Sequence, residues 1–102
     1  MSYRVIFSPE AENQLASIYH YIAGAASPSI ALQYTEAIIS HCESLNTFPY
    51  RGTRRDDIRP GIRTTNYKKR ITIAFAVNED VVSIIGIFYG GQDYETILQS
   101  NQ

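Results

Sequence analysis

Residues 70–91 read RITIAFAVNEDVVSIIGIFYGG, and this stretch decides the fold. Ile71, Ile73, Phe75 and Val77 alternate with Thr72, Ala74 and Ala76, the period-two pattern of a strand that buries one face. Asn78-Glu79-Asp80 supplies a short hairpin turn. Val81 to Tyr89 is then apolar almost throughout, as expected for a strand in the middle of a sheet with both faces covered, and Gly90-Gly91 ends it. Strands joined by so short a turn run antiparallel, so the C-terminal half is an antiparallel meander.

Working outward, Ile58 to Thr65 forms a further strand, interrupted at Pro60-Gly61 as an edge strand or bulge would be, with a turn near Asn66. Arg51 to Asp57 reads as a polar loop. At the N-terminus Tyr3, Val5 and Phe7 alternate with Arg4 and Ile6, a strand that Ser8-Pro9 stops. Ser8 is an N-cap, Pro9 fits the first helical position, and Glu10 and Glu12 suit the positive end of a helix dipole. Ala11, Leu15, Ile18, Tyr19 and Ile22 recur three and four apart as far as Gly24, the expected stop. Ser27-Pro28 repeats the start signal, and Ala31, Tyr34, Ile38, Cys42 and Leu45 form a second stripe that Phe48-Pro49 and Gly52 end. A short connection makes the two helices an antiparallel hairpin. A short amphipathic tail, Thr96-Ile97-Leu98, follows the last strand. The order β-α-α-β-β-β predicts an α+β fold with an N-terminal strand, a helical hairpin on one side of the sheet and a three-stranded antiparallel meander.

The 102 residues suit a single domain spanning 1–102, with 44% hydrophobic and 19% charged residues typical of a globular chain. No long apolar run marks a secretory leader or membrane span, and the lone Cys42 can form neither an internal disulfide nor a metal cluster, so a reduced cytoplasmic setting is expected. A net charge of −1 conceals an asymmetry: eight of the nine Lys and Arg lie between Arg51 and Arg70 beside only Asp56 and Asp57, giving that window +6 and the remainder −7. Cations so clustered favour an anionic partner.

The ending of the first strand in Ser8-Pro9-Glu10-Ala11, the helical hairpin and the Pro49-x-x-Gly52 exit resemble the ParE/RelE toxin superfamily. The run Arg54-Arg55-Asp56-Asp57-Ile58-Arg59-Pro60-Gly61-Ile62-Arg63 and the ending Ile87-Phe88-Tyr89-Gly90-Gly91-Gln92-Asp93-Tyr94-Glu95 are similar to ParE-type members in particular. Two departures stand out: Asn66 to Arg70 is more basic than the common pattern, and Gln92 replaces the usual basic residue before the final aspartate. The resemblance implies the toxin of a type II toxin-antitoxin system that inhibits DNA gyrase by binding, without enzymatic activity or cofactor. It also implies a ParD-like antitoxin that folds over the toxin, in a hetero-oligomer with no membrane involvement. Its alternative is a ribosome-dependent mRNA endonuclease of the RelE branch.

Arg59, Arg63, Lys68, Lys69 and Arg70, flanked by Tyr67 and Tyr89, are the expected target-binding residues, gathered on one face of the sheet, while no residue is assigned to the antitoxin. Tyr50 also borders the basic window as a contact candidate. Ribose cleavage would draw on Arg63, Lys69, Arg70 and Tyr89, since strand neighbours share a face. His20 and His41 fall on helices and are assigned to structure. Asp56 and Asp57 are expected to pair with arginines, and no metal site is proposed. A helical hairpin beside an open sheet offers the antitoxin a docking groove.

Overall fold

The computed structural model describes residues 3–100. Its elements run β1 (Arg4–Phe7), α1 (Pro9–Ala25), α2 (Pro28–Glu43), a single 3-10 turn (Ser44–Asn46), β2 (Thr53–Arg54), β3 (Ile62–Tyr67), β4 (Ile71–Asn78), β5 (Val81–Tyr89) and α3 (Tyr94–Ser100). One sheet contains all the strands in the order β1-β5-β4-β3-β2, with β1 parallel to β5 and the other pairs antiparallel. The expected α+β architecture is present, and the two-residue β2 is an extra edge strand within the stretch that reads as a polar loop.

Both long helices begin where their local chemistry dictates. The Ser8 hydroxyl accepts the Ala11 N–H and the Ser27 hydroxyl accepts the Ile30 N–H, each with proline behind it, and such caps stabilise a helix by about 1 kcal/mol. The hairpin then buries Ala11, Ile18, Ile22, Ala31, Ile38 and Cys42, with Leu45, against Ile71, Ile73 and Phe75 of β4 and Val82, Ile84 and Ile87 of β5.

Strict alternation cannot place both Ile84 and Ile87 on that face. A bulge does so: Ala74 pairs with Gly86 and Phe75 with Ile84, leaving Ile85 as the extra residue. Polar atoms from the start of α1 satisfy the backbone around it. The Ser8 N–H donates to the Ile84 carbonyl at 2.9 Å, the Ser8 hydroxyl to the Ile85 carbonyl at 3.0 Å, and the Ile87 N–H to Gln14 Oε1 at 2.7 Å. Ser8 thus starts the helix and fastens it to the sheet.

The hairpin packs on one side of the sheet as expected, but the other side is not left free of helix. Residues 94–100 form α3, whose Tyr94, Ile97 and Leu98 pack with Ile58, Ile62, Ala74 and Phe88 in a second apolar cluster on the other face of the sheet. That is how the apolar run of β5 comes to be covered on both sides. The second cluster also explains why β3 starts at Ile62: Ile58 is drawn under α3 and leaves the strand. At the far end Tyr67 packs on the main core, so Asn66 stays in the strand and the turn moves to residues 68–70.

Candidate functional site

The basic window is distributed along the β3–β4 hairpin, and strand register decides where each cation points. Arg63 lies opposite Phe75 on one side and Arg54 on the other, whereas Tyr67 lies opposite Ile71, which in turn faces Tyr89. Five strand residues at roughly 3.3 Å each separate Arg63 from Lys68 by about 16 Å. Two basic surfaces result, one at each end of the strand.

The first is the hairpin tip. Lys68 and Lys69 both adopt left-handed backbone conformations, with φ of 53° and 66°, which L-residues with long side chains seldom occupy. Lys68, Lys69 and Arg70 are exposed, and none of them has a carboxylate partner among the described residues. The Lys68 ammonium sits 5.6 Å over the Tyr67 ring. The Gly90 N–H donates to the Arg70 carbonyl at 2.8 Å, tying the tip to the end of β5 and bringing Tyr89 alongside. Aromatic contacts hold this end to the helices: Tyr89 meets Tyr21 and Tyr34 with ring centroids 5.7 and 6.3 Å apart, and Tyr67 meets His41 at 4.9 Å. Burial, reinforced by the positive charge of Arg51, lowers the His41 pKa, and its Nε2 is enclosed without a hydrogen-bond partner. Burial likewise raises the Tyr34 pKa, Tyr89 adding to the effect and Arg70 opposing it.

The second surface lies where the chain passes from the helices into β2. Arg51 sits 5.4 Å over Phe48 and donates to the Ser44 hydroxyl at 3.3 Å. Arg63 sits 5.3 Å over Tyr50 and donates to its carbonyl at 3.0 Å. Phe48 and Tyr50 are each 60% exposed, and with Thr47, Pro49 and Arg51 they line a groove of about 490 Å³.

Around β2 and the loop after it, at the Arg63 end of the sheet, acids hold the neighbouring cations down. Arg54 pairs with Asp56 at 2.7 Å, and the Gly61 N–H followed by Arg54 keeps that carboxyl below its usual pKa. Arg55 grips Asp57 through two nitrogens and reaches Glu95 and the Tyr94 hydroxyl on α3. Asp57 is depressed by Arg55, whose own pKa is raised in return by Asp57 and then Glu95. The pairing expected for the two aspartates is therefore present.

The single cationic face expected from the sequence resolves into separate parts. The structure brings together Tyr67, Lys68, Lys69, Arg70 and Tyr89. It sets Arg63 at the opposite end of β3 and half-buries Arg59 in the turn before that strand, where the Arg59 N–H donates to the Arg55 carbonyl. Tyr21 and Phe48 escaped the sequence reading, and Phe48 had a signal: it lies beside proline in a loop with no periodicity to bury it.

Residues 5–94 match the family described as the ParE toxin of the type II toxin-antitoxin system parDE. No curated protein matches the chain. Among solved structures, a chain of the chromosomal ParDE toxin-antitoxin system from P. aeruginosa has the same fold, with a TM-score of 0.77 at 21% identity, covering 87% of this chain and 97% of that one.

Proposed function

The chain belongs to the family of ParE toxins of type II toxin-antitoxin systems, and from that premise we propose that it acts in the cytoplasm by binding DNA gyrase, without catalysis of its own. A ParD-type antitoxin neutralises it by forming a complex. The observation that carries this reading is the hairpin tip, where three consecutive exposed cations, without carboxylate partners among the described residues, project beside Tyr67 and Tyr89. Point charges on an exposed turn, flanked by aromatic rings, suit an anionic surface such as the acidic and phosphate groups of a gyrase–DNA complex. Arg63 and Arg59 lie apart from the tip and are left out of this contact.

Inducing the chain alone should produce DNA breaks, and the purified protein should trap gyrase on cleaved plasmid. Intact DNA together with codon-positioned cuts in ribosome-bound message would reject gyrase in favour of the endonuclease reading. Replacing Lys68, Lys69 and Arg70 together by glutamate should abolish toxicity while leaving a cooperative melting transition, since exposed substitutions each shift stability by only about 0.5 kcal/mol. Undiminished toxicity in that folded variant would remove the tip from the mechanism.

A further inference from the structure

The ledge formed by Phe48, Tyr50, Arg51 and Arg63 lies about one strand length from the hairpin tip, and the contact proposed for the tip does not use it. Two large aromatic residues are 60% exposed in a domain that buries Phe75 completely. Each carries a guanidinium over one ring face, at 5.4 Å for Arg51 on Phe48 and 5.3 Å for Arg63 on Tyr50. Further contacts fix both arginines: Arg51 to the Ser44 hydroxyl, Arg63 to the Tyr50 carbonyl. Their orientation is thus set before anything binds, which lowers the entropic cost of docking. Beside them, β2 is the edge of the sheet, and Thr53 and Arg54 are exposed.

Exposed aromatics with arginine, arranged around an apolar groove, have the composition of a protein-binding hot spot. One feature disfavours a nucleic acid here. One face of each ring is already taken by a guanidinium and closed to base stacking. Preset guanidiniums around an apolar groove select carboxylates flanking an apolar anchor, and an open sheet edge selects an extended chain.

We infer that this ledge seats an extended acidic segment of the antitoxin, one apolar side chain entering the groove between Phe48 and Tyr50 while its carboxylates pair with Arg51 and Arg63. The inference rests on the toxin-antitoxin reading and is independent of which enzyme the toxin attacks. Neutralisation then acts at a surface separate from the one that contacts the target.

The test uses Phe48→Ser with Tyr50→Ser, and separately Arg51→Glu, each checked for a native circular dichroism spectrum and melting curve. Every variant is titrated with the purified ParD-type antitoxin of the system, titrated with a fluorescent single-stranded oligonucleotide, and expressed with and without that antitoxin. Antitoxin affinity is expected to fall by about thirtyfold, the scale of a hot spot, with toxicity intact and no longer rescued. Arg51→Glu, which removes a charge and leaves both rings in place, is expected to show the same escape. Wild-type affinity and full rescue in folded variants would overturn the proposal. So would lost toxicity with unchanged antitoxin affinity, which would give the ledge to the target, or lost oligonucleotide binding alone, which would give it to nucleic acid. A wild-type chain that proves harmless defeats the reading of the target and leaves the affinity measurement decisive for the ledge.

Discussion

Gly52 holds a φ of +85°, and a β-carbon built there would lie 2.3 Å from the Thr64 carbonyl oxygen of the neighbouring strand. It is the point at which the Phe48–Arg51 segment bends into β2, so both the backbone conformation and the close approach require glycine. Gly52→Ala is expected to cost about 2–3 kcal/mol, from a strained backbone plus displacement of β3, read as a lower denaturant midpoint, and to disturb the ledge more than the hairpin tip. Cys42 illustrates the opposite case of a residue whose chemistry is suppressed. Wholly buried in the helical hairpin, its thiol has a pKa pushed up to about 12 by burial and then by Glu43. Since the thiolate is the reactive form, iodoacetamide should leave the folded protein unlabelled and modify it only as fast as it unfolds.

Among the elements, α3 and the hairpin tip are held in different ways. Arg55 reaches from the loop after β2 to Glu95 and the Tyr94 hydroxyl, while Leu98 is 97% buried on the second face of the sheet, being only 3% exposed. Leu98→Ala is expected to destabilise by about 2–3 kcal/mol, the lower part of the range for a buried leucine because the helix is terminal and the site can relax. Arg55→Ala should be much milder than Leu98→Ala, as its acidic partners are exposed, and hydrogen exchange in α3 should rise in both variants. The tip depends instead on rings, in particular Tyr67 against His41. Because the folded-state pKa of His41 lies below its unfolded value, the unfolded chain holds a proton in that interval that the folded chain lacks. Stability is therefore complete above about 6.5 and declines as pH falls below it. A His41→Phe variant should flatten this part of the pH–stability curve; an unchanged slope would remove His41 as its source.

At the scale of the whole molecule the consequence is a division of the basic charge. The tip carries cations without carboxylate partners among the described residues, the ledge carries cations laid on aromatic rings, and the acids Asp56, Asp57 and Glu95 neutralise Arg54 and Arg55. Glutamate at Arg70 and glutamate at Arg51 are accordingly expected to have opposite phenotypes, loss of toxicity in the first and escape from the antitoxin in the second. Colony counts with and without the antitoxin distinguish them, and identical phenotypes would mean that one continuous surface serves both partners.

The sequence by itself determined the parts of this fold that are local. Ser8-Pro9 and Ser27-Pro28 start helices because a cap needs only its own next three residues, and the stripes of α1 and α2 and the alternation of β4 follow from backbone periodicity. It also fixed the density of cations between Arg51 and Arg70. Their directions were decided only in three dimensions. In a strand the side chains alternate faces, so inserting Ile85 as a bulge reassigns every residue beyond it to the opposite face, while moving a turn from Asn66 to Lys68 carries the strand on by two residues. Those shifts were settled by distant contacts: Ile58 drawn beneath α3, Tyr67 against His41, and Ser8 and Gln14 satisfying the bulge. No local window of sequence contains both partners of any of them.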